Sequence, residues 1–460
     1  MTSKGTLPAG AVGLGFRVEI AADLLGDPTV TDFVEVVAEA CFASPAARRE
    51  ALALSRIWPV VPHGVKLSLG SAEGIEVDRA RKLGDLAREL GAPVVTEHVA
   101  FVRGGGREIG HLTQIPFTRE ALRVVTRNVI AARRHLPDVP LLLENAAWTF
   151  RWPDDEIAEG AFYTEIAERT GCDLLLDLGN LYANAINAGL DPRAALEAYP
   201  LERVRMIHIA GGVTEDGFYF DTHANAVPEI VFALLDQAVI RTGSVPVVLE
   251  RDASFPAFAE LVAEASRARE IVKSGRAAPA PAHGETRQTE VDAPSTETQR
   301  MAEAQARVAA MLTAVDAPPA DEARPFGARA IARSRAILRH KRVDDALPLL
   351  QNLLAHRDVV RPIAEACLAA TPRAPMFAGV ADAMRIAEAA EADVVLAPHA
   401  RLDRLLLRAR FVGPGADGRV RSRVGPFVGR VALGRGRVMW AVKGVGGGAD
   451  VRLIDRRGPR

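Results

Sequence analysis

LLLENAAW (residues 141–148) carries an apolar run straight into Glu144 and Asn145. The run reads as a fully buried strand, yet it ends on an ionisable carboxylate and an amide. A core rejects such groups unless they are paired or bound to a cation. Working outward from it, short apolar runs alternate with helical patterns. The runs are GFRVEI (15–20), DFVEVV (32–37), PVVPHGV (59–65), APVVTEH (92–98), PLLLEN (140–145), CDLLLDL (172–178), RVRMIHI (203–209) and PVVLER (246–251). Between them Leu83, Leu86 and Leu90, and again Leu122, Val125 and Val129, recur at helical spacing. Eight continuous apolar strands alternating with helices over about 270 residues match a closed parallel (β/α)8 TIM barrel. An open doubly wound sheet is the second fold this pattern allows.

On a barrel, Glu144 falls at the C-terminal end of the fifth strand, the face where barrel active sites are built. Other strands end alike: His63 on the third, His98 on the fourth, Asp177 on the sixth, His208 on the seventh and Glu250 on the eighth. Asn180 follows strand six, and the turn after strand seven carries Asp221 and His223. Any one of these taken alone is more often a satisfied structural residue. Ligand-type residues on six of eight strands converge on one axis, and their carboxylates repel and lose hydration unless cations sit among them. An all-nitrogen-and-oxygen donor set without thiolate suits iron, manganese or zinc, and its size asks for two or three ions. Asn145 is placed to support the ligands. Glu97 faces away from His98's side of the strand and is expected to pair with an outer helix. Glu35 and Glu39 read as supports of the ligands or as barrel ion pairs, and His111 as a loop residue. The glycines of FVRGGGREIG (101–110) do not form a strand-to-helix phosphate cradle.

The 460-residue chain is too long for one compact core. Its apolar runs are interrupted by charge before the length of a membrane span, and the start lacks the apolar stretch of a signal peptide, so a cytoplasmic location is expected. The three cysteines, Cys41, Cys172 and Cys367, form no CxxC pair and indicate neither a disulfide framework nor a thiolate cage. The net charge of −1 hides an asymmetry: after residue 320 there are 26 Lys and Arg against 14 Asp and Glu, and before it 31 against 44. Residues 274–296 lack any apolar period and read as a linker. The expected organisation is a metal-binding barrel over 1–273, a linker with a helix over 274–326, and a basic helical-plus-β region over 327–460. In that region RVRSRVGPFVGRVALGRGRVMWAVKGV (419–445) alternates around Gly turns as a small antiparallel sheet does.

HGVKLSLGS (63–71), TEHVAF (96–101), LLLENAAW (141–148), GCDLLLDLGNLYANAINAG (171–189), IHIAGG (207–212), FDTHANAVPEIVFALL (220–235) and VVLERD (247–252) resemble, in order, the multinuclear non-haem iron-dependent oxidases. This was formerly a family of unknown function, and it includes the methanobactin-biosynthesis oxidase. The resemblance covers residues 10 to about 273. It implies a TIM barrel with two or three iron ions (Fe2+/Fe3+) and dioxygen as co-substrate, oxidising a residue, frequently cysteine, of a ribosomally made precursor peptide. By motif, His63 and His98 resemble ligands of one iron, with Glu144 bridging to a second that Asp177, His208 and Glu250 complete. Asn180, Asp221 and His223 would form a third, and Glu144, Asp177 and His208 stand closest to the chemistry. Where relatives often read NHG and AGH, this chain has Asn187, Ala188, Gly189 and Ala210, Gly211, Gly212.

Related oxidases work with a partner that recruits the peptide, so the basic region is expected to be a fused recruiting domain, or else a solvated surface or dimerisation module. Membrane contact is not expected, and no nucleic-acid reader motif is visible. Two other functions fit the ligands themselves. One is a divalent-metal barrel sugar isomerase or phosphodiesterase; the other is a metal-binding scaffold without catalysis.

Overall fold

A computed structural model describes residues 7–275, 295–374, 377–415, 420–434, 437–445 and 451–457. The chain divides into two compact units, residues 1–104 with 112–305 and residues 105–111 with 306–460. Residues 276–294, the greater part of the expected linker, lie outside the described residues.

The first unit is a closed barrel of eight parallel strands in sequential order. They are β1 (Val12–Gly15), β2 (Phe33–Val37), β3 (Val60–Gly64), β4 (Val95–His98), β5 (Leu141–Glu144), β6 (Asp173–Asp177), β7 (Val204–Ile209) and β8 (Val247–Leu249). Seven of them fall inside the runs read from sequence. The first lies earlier than expected: VGLG pairs with β8 and β2, while Val18–Ile20 forms a short 3-10 helix. Small residues are required in β1 because a Cβ at Gly13 would stand 2.6 Å from the Phe33 ring. A glycine-rich strand lacks the β-branched signature that marks strands in sequence.

Helices cover the barrel: α1 (Pro45–Leu54), α2 (Val77–Leu90), α3 (Arg119–Arg133), α4 (Glu159–Thr170), α5 (Leu178–Asn187), α6 (Glu229–Thr242) and α7 (Phe258–Lys273). In α2 the spaced Leu83, Leu86 and Leu90 are buried, and Gly91 ends the helix in the left-handed region that glycine adopts without strain. In α3 the buried face is Leu122, Val125 and Val129, and Thr118 caps the first turn by accepting from the Ala121 N–H. Helix α8 (Thr296–Thr313) runs from the first unit into the second. Its first half belongs with the barrel because Gln305, fully buried, accepts from the Ala72 N–H at 2.9 Å and donates to the Gly70 carbonyl at 2.8 Å.

The second unit contains α9 (Ala328–Ala346), α10 (Arg357–Ala369), α11 (Ala378–Ala390) and α12 (Ala397–Arg410), then the antiparallel sheet β9 (Phe427–Gly434), β10 (Arg437–Lys443) and β11 (Val451–Arg457). Leu350, Leu353, Val360, Leu368, Ile386 and Leu396 centre its helical core. Leu405 and Ala409 of α12 pack with Ala441, Phe427 and Val431 under one face of the sheet. No helix among the described residues is long and apolar enough to cross a membrane.

Candidate metal centre

Alternation along the strands builds the site. Phe33, Val61, Leu142, Leu175, Met206 and Val248 form an apolar layer inside the barrel. Two residues further along each strand, on the same inward face, stand Glu35, His63, Glu144, Asp177, His208 and Glu250. On β4 the same step runs from Val94 through Thr96 to His98. The intervening residues, such as Leu143, Leu176 and Ile207, are buried against the helices. A dry lower layer and a polar upper layer thus follow from one period of two.

The two oxygens of Glu144 face different histidines. Oε2 lies 3.6 Å from His63 Nε2 and 3.4 Å from His98 Nε2, whereas Oε1 lies 3.3 Å from His208 Nδ1. The same His208 nitrogen is 3.2 Å from Glu250 Oε2. Hydrogen bonds on the far side of the rings orient them. The Gly64 carbonyl, 3.3 Å from His98 Nδ1, can only accept, so that nitrogen carries the proton and Nε2 offers a lone pair inward. Thr96 Oγ1 stands 2.8 Å from His63 Nδ1, and Glu35 Oε2 3.2 Å from His208 Nε2. A carboxylate behind an imidazole is the arrangement that orients metal-binding histidines.

At the end of β6, Asp177 has two tasks. Its Oδ1 caps α5 by accepting from the Asn180 N–H at 2.8 Å, while Oδ2 is buried without a hydrogen-bond partner. Asn145 clamps the backbone of Asp177 on both sides, accepting from its N–H at 2.8 Å and donating to its carbonyl at 3.0 Å. Asn180 in turn donates to the Asn145 carbonyl at 3.0 Å. Asp221 and His223 lie on a strand (Phe218–Asn225) of a hairpin after β7, rather than in the expected turn. His223 adopts φ +51°, a conformation that costs about 1–3 kcal/mol and that clusters at functional sites. Its Nε2 is 2.6 Å from Asp221 Oδ2 and its Nδ1 3.4 Å from Glu250 Oε2.

These groups fit cations. Glu144 Oε2, Asp177 Oδ2, His208 Nδ1 and Asp221 Oδ1 are all buried without hydrogen-bond partners, which is costly unless something charged completes them. Among the described residues four sets bring ligand atoms within 4.8 Å of one another: His63, His98 and Glu144; Glu144, Asp177 and His208; Glu35, His208 and Glu250; and Asp177, His223 and Glu250. The first two reproduce expected groupings. The last joins His223 to Asp177 and Glu250, ligands expected at the neighbouring ion.

Without ions, the histidines and carboxylates of the centre shift one another's protonation. Burial, then the neighbouring Asp221, push Asp177 well above the usual carboxylate range. Burial works against the charge of Glu250 and Glu144, but surrounding histidines outweigh it and hold both below that range. Burial likewise opposes charge on His208 and His223, yet Glu35 and Glu250 around the one, and Asp221 and Glu250 around the other, hold both well above the usual imidazole value.

Other candidates resolve differently. Glu97 is buried, and its carboxylate accepts from the Leu67 and His98 N–H groups in place of the expected ion pair with an outer helix. Glu39 binds the Val65 and Lys66 N–H groups in the same loop. His111 lies on a hairpin strand (Arg107–Thr113), not in a loop, and Gly105 and Gly106 with positive φ make that hairpin's turn. Asn187 exchanges two hydrogen bonds with the Tyr219 backbone, and the Gly212 N–H donates to Tyr219 Oη at 2.7 Å. A Cβ at Gly212 would stand 2.1 Å from the Phe220 carbonyl, so the hairpin leaves no room for a side chain at that position. Glu35 is the ligand-type residue that sequence reading left open, although its place two residues after Phe33 carried the signal.

A buried centre of imidazoles and carboxylates at the C-terminal mouth of a closed (β/α)8 barrel defines a class of metal-binding barrel proteins. Residues 11–273 match the family model described as RiPP precursor modification enzyme MbnB/TglH/ChrH, and the chain belongs to that family. A UPF0276 protein of Streptomyces avermitilis is 41% identical over 280 residues, covering 59% of this chain and 56% of the relative; the chain thus spans little more than half of that protein. A UPF0276 protein of Caulobacter vibrioides is 37% identical over 271 residues, covering 58% of this chain and 96% of its own length. Among solved structures, endonuclease IV from Thermus thermophilus aligns with a TM-score of 0.39 and 19% identity over 58% of this chain and all of that one.

Proposed function

We propose that this chain is an iron- and dioxygen-dependent oxidase that modifies a residue, cysteine foremost, of a ribosomally synthesised precursor peptide. Membership of a family of precursor-modifying enzymes supports the peptide substrate. The observation that carries the metal dependence is the set of buried, partnerless ligand atoms on Glu144, Asp177, His208 and Asp221. His63, His98 and Glu144 would hold one ion; Glu144, Asp177, His208 and Glu250 a second; Asn180, Asp221 and His223, with Glu250 in reach, a third. Bound iron would supply dioxygen activation and one-electron chemistry.

The chain's own residues supply position and protons. Thr96, the Gly64 carbonyl and Glu35 fix the imidazole rings, and Glu35 holds the proton at His208 Nε2 while Nδ1 faces inward. Asn145 fixes the end of β6 so that Asp177 Oδ2 points into the centre. The apolar layer beneath keeps water from the barrel interior. For residues 327–460 the excess of Lys and Arg after residue 320 supports a fused recruiting role toward an acidic leader segment.

Dioxygen uptake tests the reading. Iron-loaded protein should consume dioxygen only when a cysteine-containing precursor peptide is present, and His208→Ala should abolish this. Turnover that proceeds without dioxygen, with zinc or manganese bound, would replace the oxidase with an isomerase or phosphodiesterase. Metal binding without turnover of any kind would leave a scaffold.

A further inference from the structure

We infer that the open face of the β9–β11 sheet is a docking surface for an acidic, apolar peptide segment, the part of the substrate that is held rather than modified. This rests on the peptide-substrate reading above. The sheet has two unlike faces. Phe427, Val431, Met439 and Ala441 turn toward α12, and Ala441 and Met439 are buried there. The opposite residues form cross-strand rows. Arg430 pairs with Trp440 and Trp440 with Ile454; Val428 pairs with Val442 and Val442 with Arg452; Val438 pairs with Arg456. A tryptophan with aliphatic neighbours therefore stands at the centre, and three arginines stand around it.

Among the described residues this face is exposed along its two outer strands, while Val438, Trp440 and Val442 of the central strand are half-buried. Val428 is 65% exposed and Ile454 46%, and Arg430, Arg452 and Arg456 are exposed without an ion pair among the described residues. The Arg430 guanidinium lies 5.4 Å from the Trp440 ring centroid, held over the ring by its π face. β-Branched and aromatic residues on a solvated sheet face are unusual, since such positions are ordinarily polar. Unpaired arginines around them select a partner that is both apolar and negatively charged. Nucleic acid fits less well: binding a single strand draws on successive aromatic platforms, and here one ring is set among valines and isoleucine. β11 is also an edge strand, so an extended peptide can add its backbone there while its side chains lie across the face.

The test uses the full chain and fluorescence polarisation with a short labelled peptide alternating Glu with Val, Leu and Ile. A peptide with Lys in place of Glu and a single-stranded oligothymidine serve as competitors. The expected result is binding of the acidic peptide that weakens about tenfold or more in the Arg430→Glu, Arg452→Glu, Arg456→Glu triple variant. Trp440→Ala should weaken it as well, with recovery in Trp440→Phe. Because the arginines are exposed, the triple variant should keep its metal content and its melting temperature. Unchanged binding in the triple variant, tighter binding of oligothymidine, or a dimer that the triple variant dissociates would overturn the proposal. Acidic-peptide binding at this face without peptide-dependent dioxygen uptake would overturn the oxidase reading and leave the surface standing. Uptake by the wild type without such binding would do the reverse.

Discussion

Glu144 links the two sides of the centre, because one of its oxygens faces His63 and His98 and the other faces His208. The charges around it predict how the metal-stripped protein responds to pH. His208 and His223 are held well above the ordinary imidazole value of 6.5, so their contribution to stability is complete below that value and is lost as pH rises through the folded values. Asp177, also raised, adds a penalty that grows as pH climbs from the ordinary 3.8 toward its folded value, where the buried carboxyl must ionise. Glu144 and Glu250 are held below the ordinary 4.5, so their contribution is present above 4.5 and is lost on acidification through their folded values. Stripped protein should therefore be most stable at mildly acidic pH and lose stability toward alkaline pH, measured by thermal denaturation across that range. Since the same protons must leave for ions to bind, metal affinity should rise with pH and loading should release protons, which calorimetry in buffers of different ionisation enthalpy detects. A melting temperature that climbs steadily from neutral to alkaline pH would contradict this charge assignment.

At the scale of the element, a strand's period of two explains both the fold and the centre. Phe33 and Glu35, Val61 and His63, Leu142 and Glu144, and Met206 and His208 each place an apolar and a ligand-type residue on one inward face. That pattern, with leucines at helical spacing between the strands, was legible in the sequence, and so was the meeting of His63, His98, Glu144, Asp177, His208 and Glu250 at one end of the barrel. β1 was harder to read because its requirement is for absence: Gly13 leaves room for the Phe33 ring. Gly13→Ala should destabilise the barrel by about 1–3 kcal/mol through overpacking, seen as a lowered melting temperature. Illegible too were contacts made through space by distant segments. Glu97 facing outward followed from alternation, but its binding of the Leu67 N–H depends on a loop path that periodicity does not encode. The hairpin placing Asp221 and His223 read as a turn because DTHAN is polar, with no apolar alternation.

At the scale of the whole molecule, each unit has its own core, and each should respond to its own lesions. In the second unit Arg342 donates through Nε and Nη2 to the two oxygens of Asp382, both at 2.8 Å, and both residues are buried. Removing the cation leaves a buried carboxylate with only Arg385 beside it. Arg342→Ala should cost the second unit about 3–5 kcal/mol, resolved as a shifted unfolding transition, while the barrel keeps its metal. Loss of metal in that variant would show instead that the two units fold as one.

What the barrel mouth binds is the point on which the proposed chemistry turns. The decisive measurement is elemental analysis, counting iron, zinc and manganese per chain in protein purified anaerobically without added metal, for the wild type and for Glu144→Gln. Two or three irons per wild-type chain are expected, with iron lost in the variant, because one carboxylate serves both sets of histidines. Zinc or manganese in the wild type, or full iron retained in Glu144→Gln, would refute the iron centre assigned to these residues.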